Sequence, residues 1–187
     1  MIQPMSSTIN DFRSFFRPDK RMAAFSAINQ VKAAVRLMDG SLAAASIQVQ
    51  IESSEDVQLF GFPNEYCQVI LNPLANAKEA ILDRQVCPGL INIRAWTEVG
   101  FGVLAMADNG RGIPAEFLDR IFDPYFSTRE TGTGIGLYIC KQIIERSMGG
   151  RIRAGNGPER AESTVLVPTS GGGAWTASPR MWPSLNS

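Results

Sequence analysis

Asn72 and Asn76 lie four residues apart in a stretch with helical apolar periodicity, so both carboxamides share one helical face with Glu79 and Ala80. Two carboxamides on an otherwise apolar helix are costly unless they meet a ligand, an ion or each other. A structural alternative stays open, in which Pro73 starts a fresh helix and Asn72 caps it. Asp108-Asn109-Gly110-Arg111-Gly112-Ile113 follows directly on a strand pattern. A carboxylate at a rigid strand end, followed by two glycines, lets backbone approach a planar ligand closely. Taken alone, Asp-Asn-Gly is also an ordinary turn. Farther on, Gly132-Thr133-Gly134-Ile135-Gly136-Leu137 opens an amphipathic segment. Its unobstructed N–H groups suit an anion at the positive end of a helix. A flexible linker into a capped helix has the same composition. The spacing is neither GxGxxG after a first strand nor a loop ending in Gly-Lys-Ser/Thr.

Composition removes many other chemistries. The 187 residues include no histidine, which excludes Ser-His and Cys-His pairs, HExxH zinc sites and a phosphohistidine on this chain. Cys67, Cys87 and Cys140 are odd in number and form no CxxC pair, so they read as reduced thiols filling small core positions. Eighteen basic and 18 acidic residues balance, which argues against a nucleic-acid binder or a polybasic membrane tether. A hydrophobic share of 44% is globular, and no apolar run approaches the roughly 18 residues of a membrane helix. With no basic-then-apolar start over residues 1–11, the expected location is the cytoplasm.

The elements that must position these residues can be read from periodicity. Ile9, Phe12, Phe15 and Phe16 predict a helix over 5–16 that Pro18 ends. Met22, Phe25, Ile28, Val31, Val35 and Met38 predict a second helix, capped at Gly40. Alternation over 47–52 and 57–60 across a Ser-Ser-Glu-Asp turn predicts a hairpin. A helix over 64–84, a hairpin of 90–96 with 101–107, and a loop over 108–131 with one helical turn after Pro114 follow. The chain then gives an amphipathic helix over 134–148 and two strands, 151–154 and 162–167. After Pro168 the Gly-, Ser-, Pro- and Trp-rich composition predicts a disordered tail.

In combination the three motifs are far more specific than any one of them. The order Asn-x-x-x-Asn-Ala, strand-Asp-x-Gly-x-Gly, then Gly-x-Gly-x-Gly-Leu resembles the ATP-binding domain of the GHKL superfamily, and within it the sensor histidine kinases. The stretch Ile121-Phe122-Asp123-Pro124-Tyr125-Phe126-Ser127-Thr128-Arg129 is similar to the phenylalanine box of their ATP lid, and residues 5–16 to the second helix of their dimerisation domain. Over roughly residues 3–168, the resemblance implies an α/β two-layer sandwich: a mixed sheet of about five strands with helices on one face. The expected organisation is a dimerisation-helix remnant over 1–17, the ATP-binding domain over 18–168 and the tail over 169–187.

The resemblance also implies roles. Asn76 would place its oxygen on a magnesium ion bridging the ATP phosphates, with Asn72 supporting the same site; these two are the catalytic candidates. Asp108 would accept from the adenine amino group, with Gly110, Gly112 and Ile113 against the base. Thr133, Gly134, Gly136 and Leu137 would wrap the phosphates, and Arg129 would reach them from the lid. Lys78, pointing away from Asn76, is expected in solvent. Superfamily ATPases carry a water-activating glutamate where this chain has Asn72, so slow hydrolysis and phosphoryl transfer are implied. The acceptor histidine would come from the dimerisation domain of another kinase chain, with a response regulator as an indirect partner. Departures include Pro73 within the asparagine helix, a short lid, and Arg160 and Ser163 where a glycine and an aromatic residue are expected. A non-catalytic nucleotide-binding module that docks on an intact kinase, and a GHKL-type ATPase, are the rival readings.

Overall fold

A computed structural model of the chain describes residues 21–110, 112–129, 132–157 and 160–169. The helix expected over 5–16 lies outside these residues, as does the expected tail apart from Thr169. The elements run β1 (Ala23–Ser26), α1 (Ala27–Ala44), β2 (Ile47–Ser53), β3 (Gln58–Gly61), α2 (Pro63–Asp83), β4 (Gly89–Glu98) and β5 (Phe101–Asp108). A single helical turn at Ala115–Phe117 interrupts the long loop after β5. Then come α3 (Gly136–Lys141), which widens into a π-helical turn over Gln142–Ser147, β6 (Arg151–Gly157) and β7 (Arg160–Pro168).

Five strands form one mixed sheet in the order β2-β4-β5-β7-β6. β2 runs parallel to β4 and every other neighbouring pair is antiparallel. Period-two alternation puts Ile91, Ile93, Leu104, Met106, Val165 and Ile152 on one face. That face meets Val31, Leu74, Ile81 and Ile144 from the three helices in a single buried cluster. The two-layer α/β sandwich inferred from the motifs is therefore the observed architecture, and the β4–β5 hairpin pairs Trp96 with Val103 as its pattern requires. Cys67 and Cys140 are buried, as small core thiols should be, whereas Cys87 is exposed.

Several local expectations fail for identifiable reasons. The predicted hairpin of 47–52 with 57–60 does not form, because β2 pairs with β4 across the α2 crossover while β3 pairs with β1 in a separate two-stranded sheet. Residues 23–25, expected in a helix, lie in β1, where Phe25 packs on Tyr66 with ring centroids 5.3 Å apart. Ser26 sets the true start of α1: its hydroxyl accepts from Asn29 N at 3.2 Å and donates to Asp56 Oδ1. Gly40 is no cap; it lies inside α1, exposed, and the helix runs on to Ala44. Pro73 starts no fresh helix, since α2 is one unbroken element with Pro63 in its first turn. Lys78 is not free in solvent, for its side chain is only 20% exposed and its ammonium lies 3.4 Å from Glu79.

The cap at Ser26 can be tested directly. Ser26→Ala removes an acceptor from the first turn of α1 and leaves Asp56 without its hydroxyl partner. We expect it to lower unfolding stability by about 1 kcal/mol, read as a lower urea midpoint with an unchanged slope. An unaltered midpoint would show that packing of Phe25 alone sets the helix start.

Candidate functional site

Helix α2 buries Tyr66, Val69, Ile70, Leu74, Ala77 and Ile81 against the sheet and the other helices. Its opposite side carries Asn72, half-buried, and Asn76, exposed. One turn later come Glu79 and Ala80, then Asp83. Three chain segments distant in sequence meet this side.

The glycine-rich segment meets it at the N-terminal end. Asn72 Nδ2 donates to Gly136 O at 3.2 Å and to Cys140 Sγ at 3.3 Å. A Cβ on Gly136 would come within 3.3 Å of Asn72 Oδ1, so the contact favours glycine. Gly134 has φ +65°, and a Cβ there would fall 2.4 Å from the Tyr125 carbonyl carbon. Thr133 is exposed beside it, and Leu137 is half-buried. The β5 loop meets α2 one helical stretch further on: a Cβ on Gly110 would lie 2.9 Å from Ala80 Cβ. The lid segment meets it last, where Arg129 Nε lies 3.2 Å from Asp83 Oδ2 and Nη1 lies 3.8 Å from Glu79 Oε2. In this conformation the Arg129 guanidinium is on carboxylates of α2.

Asp108 ends β5 half-buried, and its Oδ1 accepts from Gly110 N at 2.8 Å. Its other oxygen has no hydrogen-bond partner among the described residues. Burial raises its carboxyl above the ordinary range, opposed by the Gly110 N–H. Asn156 of β6 holds the loop that follows: Ile113 N donates to Asn156 Oδ1 at 2.7 Å and Asn156 Nδ2 donates to Ile113 O at 2.6 Å. Gly112 adopts φ +80°, and a Cβ there would lie 2.9 Å from the same Asn156 oxygen. Asn109 ties the loop to β4 by accepting from Leu90 N at 2.9 Å and donating to Pro88 O at 3.0 Å. No local pattern marks Asn156, 43 residues from Ile113 on another strand.

These residues fit a nucleotide with a magnesium ion. The Asn76 carboxamide makes no hydrogen bond to any described residue and is open to a ligand. No group of three metal-ligating His, Cys, Asp or Glu side chains occurs among the described residues. A magnesium ion there would take most of its oxygens from phosphate and water and one from Asn76, the habit of this hard cation.

The Asp108 environment predicts a pH-dependent effect in the free chain. Because its folded value is raised, stability associated with the protonated acid is complete below the ordinary carboxylate range and is lost as pH rises through the folded value. Asp108→Asn carries no charge to desolvate. At pH 7 it should unfold at a higher urea concentration than the parent chain, and the gap should close in acid below the ordinary carboxylate range. Equal or lower stability at pH 7 would contradict this account of the site.

The comparisons with known proteins agree with this geometry. The family described as "Histidine kinase-, DNA gyrase B-, and HSP90-like ATPase" matches residues 61–174, a span that includes all of α2 through β7. The two-component sensor PprA of Pseudomonas aeruginosa is 35% identical over 144 residues, covering 72% of this chain and 15% of that protein. The C4-dicarboxylate transport sensor protein DctB of Rhizobium meliloti is 31% identical over 160 residues, covering 84% of this chain and 25% of that protein. The chain thus spans a quarter or less of the length of either relative. The catalytic domain of histidine kinase ThkA superimposes with a TM-score of 0.72 at 25% identity, covering 80% of this chain and 96% of that domain. A family match over more than half the chain, together with this fold and these relatives, places the chain in the histidine kinase-, DNA gyrase B- and HSP90-like ATPase family, as an ATP-binding domain of the sensor histidine kinase kind.

Proposed function

We propose that the chain binds Mg-ATP and transfers the γ-phosphoryl group to a histidine carried by the dimerisation domain of another kinase polypeptide, from which a response regulator is phosphorylated in turn. The observation that supports this reading is the meeting of Gly136 with Asn72 and of Gly110 with Ala80 on one helix. ATP supplies the transferable phosphoryl group, and magnesium neutralises charge that develops on it. In this reading Asn76 gives its amide oxygen to the metal. Asp108 holds the adenine amino group with its uncommitted carboxylate oxygen, and Gly110, Gly112 and Ile113 lie against the base. Thr133, Gly134, Gly136 and Leu137 enclose the phosphates, and Arg129 leaves Glu79 and Asp83 to join them.

Asn72 decides between transfer and hydrolysis. A carboxamide takes no proton at neutral pH, so water at this site lacks a general base. Catalysis then consists of positioning and charge neutralisation, which suits donation to a presented imidazole. The 187 residues contain no histidine, so in this reading the acceptor lies outside them. No helix among the described residues is long and apolar enough to cross a membrane.

The decisive experiment incubates the chain with γ-labelled Mg-ATP, with and without a histidine-bearing dimerisation domain. We expect label on the added domain and little free phosphate. Binding with neither product would favour a non-catalytic module that docks on a kinase, and rapid free phosphate would favour an ATPase. Asn76→Asp should weaken magnesium-dependent ATP binding by about tenfold or more, and unchanged magnesium dependence would remove Asn76 from the metal. Asp108→Asn should lose ATP binding while remaining folded.

A further inference from the structure

Pro73 lies in the middle of α2 and has no N–H, so the carbonyl of Val69, four residues earlier, has no helical donor. Such a buried acceptor is costly when left unpaired. Here it is met from another helix: Cys140 Sγ of α3 lies 3.8 Å from Val69 O and donates to it. Cys140 is 0% exposed. Burial pushes its thiol up to about 11, so the S–H donor is present at neutral pH. With its proton committed to Val69, the sulfur offers only lone pairs to its remaining neighbour, Asn72 Nδ2, at 3.3 Å. The second N–H of the same amide goes to Gly136 O. Turning the amide over would set Oδ1 against the Gly136 carbonyl oxygen and the sulfur lone pairs, three acceptors with no proton among them.

We propose that Cys140 is a positioning residue for the nucleotide site: its thiol, held by the carbonyl that Pro73 leaves free, fixes the Asn72 carboxamide and so joins the glycine-rich segment to α2. Both donors of Asn72 are thereby occupied, and Oδ1 is the part of the amide left for a ligand. The proline that looks like a defect in α2 is thus what orients the thiol. The inference rests on the proposed nucleotide site only for its functional consequence, because the hydrogen-bond relay is a property of the free chain.

The test uses the full chain with Cys140→Val, Cys140→Ala, Cys140→Ser, Asn72→Ala, Pro73→Ala and their pairs. Binding of Mg-ADP is measured by calorimetry, and stability by urea unfolding. Cys140→Val and Cys140→Ala should each weaken Mg-ADP binding by about 3–10-fold, with Cys140→Ser recovering most of the loss. In the Asn72→Ala background, replacing Cys140 should change Mg-ADP affinity no further. Pro73→Ala restores a backbone donor to Val69 and should reduce the urea-midpoint loss that Cys140→Ala causes. Additive effects of Cys140 and Asn72, or a serine variant no better than alanine, would overturn the proposal. Failure of the parent chain to bind Mg-ADP would refute the proposed function instead, and the urea cycle between Cys140 and Asn72 would still decide the relay by the same additivity criterion.

Discussion

The contact surface of α2 is the constraint on which the site depends. Its buried side, from Tyr66 through Ile81, is locked into the core, so the opposite side is a rigid reference. From Asn72 to Ala80 the helix advances about 12 Å at 1.5 Å per residue. Within that length it receives the glycine-rich segment through Asn72 and the β5 loop through Ala80, with Arg129 joining at Glu79 and, just beyond, at Asp83. Segments separated by some 64 residues along the chain are thereby fixed relative to one another by one element. Helix α3 then needs to pack only once, against α2, for the glycine-rich segment to take its place.

The glycines owe their identity first to this packing. Gly110 makes room for Ala80, Gly112 for Asn156, Gly134 for the backbone of Tyr125 and Phe126, and Gly136 for Asn72. At Gly110, Gly112 and Gly134 a Cβ would fall within 3.0 Å of other protein atoms, and at Gly136 the fit is tight. The loops are accordingly shaped before any ligand arrives, which lowers the ordering that binding would otherwise require. Asp108 is a different case: the fold uses one of its oxygens, which accepts from Gly110 N, leaves the other uncommitted among the described residues, and works against its charge by burial. Under the proposed function, that cost would be offset by the base the carboxylate holds.

The motifs were legible because each joins a residue type to a fixed spacing, and the strands β4 to β7 were legible because their alternation answers to one buried face. What escaped the sequence were pairings between segments. The runs 47–52 and 57–60 have the alternation and turn of a hairpin, yet partner choice depends on where β1 and β4 lie, which no local pattern records. Phe25 fits a helical stripe as well as a strand, and its contact with Tyr66, together with the Ser26 cap, settles the matter. Asn156 and Cys140 were invisible as site residues for the same reason. Their importance comes from a glycine and a proline elsewhere in the chain, at Gly112 and Pro73, whose demands appear only in three dimensions.

Arg129 and Asn72 illustrate two different ways of holding a group near one helix. The Arg129 pairs are with exposed carboxylates, the Asp83 and Glu79 side chains being 58% and 42% exposed, and surface pairs of that kind contribute little each. A phosphate with more than one negative charge can compete for a guanidinium held in this way. Asn72 is held by two hydrogen bonds in a part-buried setting where an unpaired donor would be costly, so it has little freedom to turn. The Asn72 carboxamide is therefore fixed in one orientation, whereas the Arg129 guanidinium is held only by exposed ion pairs. Under the proposed function, this division would suit a site that keeps water inactive beside a phosphoryl donor.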